Sequence, residues 1–171
     1  MSPALVQRFN LYFWNLIPVA TILLLVFVTV VPWRLPGFGA ITPAFILMAV
    51  FYWSIYRPDQ LSYVAVFCLG TVQDLLSGMP LGMTPLVLLI VQGILISQRR
   101  FLLGKSFFVV WCSFMIVALG AAILSWVVGT EFFGAPLAPV PIVVQVVMTV
   151  LLYPALTWLF GRAHLAMLRY G

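Results

Sequence analysis

Six long runs of apolar residues, separated by five short polar or turn-forming segments, dominate the chain. The separating segments carry proline, glycine and charged residues, which interrupt apolar helices and favour turns. An apolar run of about 20 residues is long enough to cross a bilayer as a helix. The pattern therefore predicts six membrane spans, at about residues 13–31, 42–57, 61–77, 81–98, 106–128 and 139–160.

The first three spans are less regular than the others. Arg8 precedes the first run as it would precede a signal peptide, but the run exceeds the usual ~7–15 apolar residues and no small-residue cleavage site follows. We therefore interpret it as a span. The second and third runs have only 16 and 17 residues. Either they thin the bilayer locally or one of them is re-entrant.

Composition agrees with a membrane protein. Hydrophobic residues make up 65% of the chain and charged residues 6%, against about 45–50% and about 25% in soluble domains. Six spans of about 20 residues use about 120 residues of the 171, so we expect a single membrane domain over residues 1–171. A nucleic-acid-binding face and a disulfide scaffold are excluded, and Cys68 and Cys112 lie in apolar runs as free thiols.

The basic residues predict the orientation of the spans. Cytoplasmic loops retain lysine and arginine, and with both termini inside only Arg34 faces outward. The other seven then face the cytoplasm: Arg8, Arg57, Arg99, Arg100, Lys105, Arg162 and Arg169. We therefore predict an all-α integral membrane protein, a six-helix transmembrane bundle with cytoplasmic N and C termini. The basic cluster at 99–105 is suited to anionic lipid headgroups or an acidic partner.

The chain contains few residues of the types that catalyse reactions. There is one histidine, His164, and there are three carboxylates, Asp59, Asp74 and Glu131. Most metal sites and acid–base pairs need more ligands or titratable groups than these. We expect no cofactor, no metal site and no catalytic residue.

A stripe of small residues with one carboxyl group follows the third span. Gly70, Asp74 and Gly78 recur every four residues, so they share one helix face, and Gly82 continues the spacing beyond the break at Pro80. Asp74 lies in the outer third of the membrane, about 20 Å from the start of the span. The carboxyl group either carries protons or cations, senses a partner, or acts structurally. A structural carboxyl would bond the amides around Ser77 and Gly78 or form an ion pair with Arg34.

A polar stripe follows the sixth span. Gln145, Thr149, Tyr153 and Thr157 recur at four-residue steps, and such a face avoids lipid. It either forms hydrogen bonds within the bundle or docks a helix of another protein. Pro154 removes a backbone donor and predicts a kink, for which Tyr153 or Thr149 could compensate. The tryptophans mostly fall near span ends and are typical of interfacial anchors: Trp14, Trp33, Trp53, Trp111, Trp126 and Trp158.

The segment from Phe67 to Gly82 resembles the signature of the MreD family of bacterial rod shape-determining membrane proteins. That signature is approximately G-x-x-x-D-x-x-S-G-x-x-x-G across the third and fourth spans. The matching residues are Gly70, Asp74, Ser77, Gly78, Leu81 and Gly82. Two further stretches agree with the family: Pro32-Trp33 after the first span, and Pro43 followed by Tyr52-Trp53 and Arg57-Pro58 around the second. Beyond about Phe107 the chain matches only in hydropathy.

The resemblance implies a non-enzymatic subunit of the cell-elongation machinery in the bacterial inner membrane. Its implied partners are an MreC-like membrane protein, the RodA glycosyltransferase, a class B penicillin-binding transpeptidase and the MreB filament, besides membrane lipids. The implied role is to hold the MreC-like helix in place for peptidoglycan synthesis. Both stripes are candidate partner-facing surfaces.

Two rival functions remain open. The family is also thought to resemble the substrate-capture subunits of energy-coupling-factor transporters, so a small-molecule transporter subunit is the alternative. The chain lacks an obvious inverted repeat and paired interrupted helices, which usually accompany a midplane site. An intramembrane enzyme is disfavoured because Asp74 and Ser77 have no histidine or lysine at comparable depth.

Overall fold

The fold is known from a computed structural model that describes residues 19–28, 42–134 and 139–170. These residues form α-helices, with no β-strand among them. A short 3-10 helix, Pro58–Gln60, joins the second helix to the third. In chain order the helices are α1 (Val19–Val28), α2 (Phe45–Tyr56), α3 (Tyr63–Ser77), α4 (Met83–Leu102), α5 (Phe107–Phe133) and α6 (Pro139–Tyr170).

Three of these helices are long and apolar enough to cross a membrane: Met83–Leu102, Phe107–Phe132 and Pro139–Arg162. The other three apolar helices are shorter, at 10–17 residues. The predicted all-helical fold is thus confirmed for the described residues, and the order of the predicted spans matches the order of the helices. Residues 13–18 and 29–31 of the first predicted span lie outside the described part.

The long helices continue beyond their predicted ends at residues 98, 128 and 160. Arg99 and Arg100 occupy the last turn of α4, where basic side chains interact favourably with the helix dipole. Gly129 stays inside α5, which ends instead at Gly134 with a left-handed φ of 61°. Each predicted end precedes an arginine or a glycine. The helical hydrogen bonds of the backbone nevertheless continue past these residues.

Helices α1 and α2 run in opposite directions, as do α3 and α4, whereas α2 and α4 run in the same direction. The indole of Trp53, near the end of α2, donates to Thr21 near the start of the described part of α1. Gly70 of α3 contacts Pro85 in the first turn of α4. Arg99 donates from the end of α4 to the carbonyl of Ile55 at the end of α2, 3.0 Å away. The ends of α2 and α4 therefore lie at the same end of the molecule.

Helix α2 lies at the centre of the bundle. Every residue from Ile46 to Ile55 is buried, which leaves no side of this stretch facing lipid. Its 12 residues extend only about 18 Å, less than the ~30 Å of a hydrocarbon core. Because protein surrounds α2, its short length requires no thinning of the bilayer around it. The 15-residue α3 lies at the edge of the bundle. For this helix, local thinning of the bilayer and a re-entrant path both stay predictions.

Helix α6 passes through Pro154 without ending. Pro154 has no amide hydrogen, so the carbonyl of Val150 lacks its normal helical donor. The indole of Trp111 on α5 donates to that carbonyl at 3.1 Å. The compensating donor is therefore neither Tyr153 nor Thr149, as the sequence suggested, but a tryptophan of the neighbouring helix.

Two tryptophans make contacts inside the protein that the predicted role as interfacial anchors does not include. Trp53 is only 2% exposed and packs in the core beside Tyr52 and Phe160. Trp111 is half-buried and bonds to α6. Both indole N–H groups have partners inside the protein, which a span-end position alone does not reveal.

Candidate functional site

Helices α3 and α4 form a hairpin whose turn is specified by local sequence. Ser62 caps the start of α3 by accepting a hydrogen bond from the amide of Ala65. Gly78 ends α3 in the left-handed conformation, with φ 66°, and Gly82 precedes α4 with φ 100°. Glycine adopts these angles without the steric cost that a side chain brings. The turn therefore brings the end of α3 next to the start of α4.

The carboxyl group of Asp74 joins the two helices. It is fully buried, and its Oδ2 accepts the amide of Gly82 at 2.9 Å. The amide of Thr84 donates to both carboxyl oxygens, at 3.2 and 3.3 Å. The first amides of a helix have no partner within that helix, so Asp74 caps α4 from a residue on α3. A negative carboxylate also interacts favourably with the positive end of the α4 dipole.

This cap differs from one of the two structural arrangements expected from the sequence, the bonding of the carboxyl group to the amides around Ser77 and Gly78. The amides of Gly78 and Met79 bond to the backbone carbonyl of Asp74 rather than to its carboxyl group. The reason is that amides directly after a helix point back to its last carbonyls. The predicted ion pair involves Arg34, which lies outside the described residues.

Gly70 sets the distance between α3 and α4. A Cβ atom at this position would lie 2.7 Å from the Cα of Pro85 and 2.8 Å from its nitrogen. Only glycine allows the two backbones to approach so closely. Pro85 is tolerated there because it occupies the first turn of α4, where an amide hydrogen has no helical partner. The contact brings Asp74 within reach of the α4 amides.

The residues of the stripe, Gly70, Asp74, Gly78 and Gly82, therefore form the contacts and the turn of the α3–α4 hairpin. Gly70 and Asp74 are buried against α4, whereas Ser77, Gly78 and Gly82 are exposed. The hydroxyl of Ser77 accepts a hydrogen bond from the side-chain amide of Gln73, one turn earlier, at 2.9 Å.

The first half of the polar stripe on α6 bonds to the segment that leads into α2. The side-chain amide of Gln145 donates to the carbonyl of Thr42 at 3.0 Å. The hydroxyl of Thr149 accepts from the amide of Ala44 at 3.0 Å and donates to the carbonyl of Gln145. These bonds satisfy the backbone at the start of α2, as non-helical backbone at membrane depth requires.

The second half of the stripe also faces the bundle. The ring of Tyr153 stacks on Phe114 of α5 at 4.1 Å between centroids and meets Phe51 of α2 edge-on. The hydroxyl of Thr157 donates to the carbonyl of Tyr153. All four residues therefore have contacts inside this chain.

The carboxyl group of Asp74 is engaged in hydrogen bonds within the α3–α4 hairpin. Both carboxyl oxygens accept backbone amides. Among the residues whose positions are described, no three His, Cys, Asp or Glu side chains are grouped as a metal site requires.

Comparison with known families identifies the chain. A family model described as the rod shape-determining protein MreD matches residues 7–163. This chain belongs to the MreD family. Neither a curated protein nor a solved structure gives a significant match.

The family assignment confirms the resemblance drawn from the motif around Asp74. In this MreD-family chain, the residues that carried the resemblance form the turn and close contact of the α3–α4 hairpin. Sequence reasoning missed Thr84 and Pro85, which supply the other half of that contact. Pro85 itself was an available signal for a helix start, because proline is favoured in the first helical turn, where an amide hydrogen has no helical partner.

Proposed function

We propose that this MreD-family protein is a non-enzymatic scaffold subunit of the bacterial cell-elongation complex. It is a multi-pass protein of the inner membrane, and it binds an MreC-like partner to help position or regulate peptidoglycan synthesis. The family match over residues 7–163 carries the proposal. The further partners are the RodA glycosyltransferase, a class B penicillin-binding transpeptidase and the MreB filament.

The proposed topology has six spans with both termini in the cytoplasm. The alternating helix directions support it, as does the position of Arg57, Arg99, Arg100 and Lys105 at the end where α2 and α4 finish. Basic residues are retained on the cytoplasmic side, so this end faces the cytoplasm and the α3–α4 turn faces outward.

The exposed face of α3 is the proposed contact for the membrane helix of the MreC-like partner. Only Val66, Leu69, Gly70 and Asp74 are buried on α3, while Val64, Phe67 and Leu75 are at least 50% exposed. With 15 residues, α3 extends about 22 Å, which is shorter than the ~30 Å hydrocarbon core. Such mismatch favours helix–helix association over lipid contact.

The first test is affinity purification of the tagged protein in mild detergent from its native membrane, followed by mass spectrometry. Retention of an MreC-like protein, with or without the glycosyltransferase and transpeptidase, is the expected result. Recovery of ATPase subunits and a transmembrane coupler instead would refute the scaffold and indicate the transporter alternative.

The second test uses the native cysteines to locate the interface. Cys68 is exposed on α3, whereas Cys112 is half-buried on α5. A thiol-to-amine crosslinker should join the protein to its MreC-like partner, and Cys68→Ser should abolish the product. Cys112→Ser is the matched control and should leave it intact. A product that depends on Cys112 alone would show that α3 is not the contact.

A further inference from the structure

The described basic side chains lie together at one end of the molecule. Arg57 follows α2, Arg99 and Arg100 end α4, and Lys105 stands between α4 and α5. On α6, the ring of Phe160 is 5.2 Å from that of Tyr52 near the end of α2. Arg162, two residues after Phe160, therefore lies at the same end. We call this group the basic end: Arg57, Arg99, Arg100, Lys105 and Arg162.

Among the residues that the structure describes, no ion pair neutralises the positive charge of the basic end. None of the described carboxylates lies within ion-pair distance of a described basic side chain. Asp59 is the one described acid near this end, on the 3-10 helix after α2. Asp74 and Glu131 lie near the far ends of α3 and α5. Arg99 is engaged with a carbonyl, which leaves the other four available for an anionic ligand.

Two of these cations lie over exposed aromatic rings. The ammonium of Lys105 is 5.1 Å from the ring centre of Phe101, and the guanidinium of Arg162 is 4.5 Å from that of Trp158. Both rings are 61% exposed. Phe101 lies in the last turn of α4, and Trp158 lies one turn before the end of the apolar span Pro139–Arg162. Aromatic rings near the end of a span sit at the depth where acyl chains meet headgroups. The ammonium or guanidinium group that lies over such a ring is then at the level of the headgroups.

We propose that the basic end binds anionic phospholipids through their headgroup phosphates. Phosphate oxygens pair with guanidinium and ammonium groups, and the exposed rings beside the cations contact the upper acyl chains. A membrane lipid presents an anionic group and an apolar chain in this order along the membrane normal. An acidic protein segment supplies the charge but not the apolar contact, so the observations favour the lipid.

The test measures selectivity between two short-chain lipids on the full-length protein in a neutral maltoside detergent. Dioctanoyl-phosphatidylglycerol should raise the melting temperature at lower concentration than dioctanoyl-phosphatidylcholine. The double substitution Arg100→Gln with Lys105→Gln removes two exposed cations from the basic end. Because each basic residue contributes about fivefold to anionic lipid binding, the selectivity should fall by roughly 25-fold.

Two controls keep the test interpretable. Glu131→Gln changes the charge by one unit near the far end of α5 and should leave selectivity unchanged. Arg100→Lys with Lys105→Arg retains both charges and should also keep it. Size-exclusion chromatography shows whether each variant is folded, and if the double variant is not, Arg162→Gln replaces it with an expected loss of about fivefold.

Three outcomes would overturn the proposal. The first is equal affinity of the native protein for both lipids. The second is unchanged selectivity in the folded double variant. The third is tight binding of a polyglutamate peptide that depends on Arg100 and Lys105 while phosphatidylglycerol shows no preference, which would assign the surface to an acidic protein.

Discussion

Pro154 and Trp111 should be energetically coupled although they lie on different helices. Pro154 deprives the Val150 carbonyl of a donor within α6, and the indole of Trp111 supplies one from α5 at 3.1 Å. Trp111→Phe removes the indole N–H and keeps an aromatic ring. In a Pro154→Ala background, the new amide of residue 154 can bond the same carbonyl. Loss of the indole N–H should then lower the free energy of unfolding by less.

The expected coupling follows from the environment of the bond. An unpaired buried acceptor costs about 1–3 kcal/mol, whereas interhelical hydrogen bonds in membranes average about 0.6 kcal/mol with a maximum near 1.7. Trp111 is half-buried, and lipid chains offer no replacement donor. We expect Trp111→Phe to destabilise the native protein by about 1 kcal/mol more than it destabilises the Pro154→Ala variant.

A double-mutant cycle measures this difference. Reversible unfolding in mixed detergent micelles, with increasing dodecyl sulfate, gives the free energy of unfolding of the four proteins. The cycle cancels the loss of ring area, which is common to both backgrounds. Trp53→Phe is the matched control, because its indole bonds Thr21 on α1 and has no connection with Val150. It should cost the same in both backgrounds.

The reasoning would be refuted by a Trp111→Phe cost that agrees between backgrounds within about 0.3 kcal/mol, the usual error of additivity. It would also be refuted by an equal background dependence for Trp53→Phe, since the coupling would then reflect a general change of the bundle. Either result would mean that the indole does not stand in for the missing amide.

Other predictions concern the hairpin, the start of α2 and the topology. In the same unfolding assay, Gly70→Ala should destabilise the protein by about 1–3 kcal/mol through overpacking, and a value below about 0.5 would contradict the close contact. Asp74→Asn should cost about 1–2 kcal/mol because the cap loses its charge; Asp74→Glu, a longer carboxylate, tests whether charge alone suffices. Thr149→Val preserves the side-chain shape and should cost about 1–3 kcal/mol by leaving an amide at the start of α2 unpaired. In a Cys-free background, Lys105→Cys should react with an impermeant maleimide only from the cytoplasm, and Glu131→Cys only from outside. Labelling of both variants from the same side would exclude the proposed topology.

The α3–α4 hairpin illustrates how far the sequence predicts the candidate site. Gly70, Asp74, Ser77 and Gly78 were identified from four-residue spacing and turn residues, which are local features. Their contacts were not identified, because Asp74 bonds amides 8 and 10 residues away. Which amides it reaches depends on how closely the two backbones approach, and Gly70 sets that distance.

The polar stripe on α6 shows a greater gap between pattern and structure. Four-residue spacing places its members on one helix face, and the cost of polar groups in lipid turns that face inward. The partners are the backbone atoms of Thr42 and Ala44, which are 103 and 105 residues distant from Gln145 and Thr149. No local pattern selects partners at such separation.

The sequence by itself determined that the described chain is helical and apolar, in what order the helices occur, and which residues mark the family. These properties depend on helical spacing, on the cost of burying charge and on the conformational freedom of glycine, all of which act over a few neighbouring residues. Only the tertiary structure decided that α2 is enclosed by protein, that Asp74 caps α4 and that Trp111 replaces the amide missing at Pro154. Each of these depends on backbone groups that must find a hydrogen-bond partner where water is excluded, and the packing of the whole bundle determines which partner is within reach.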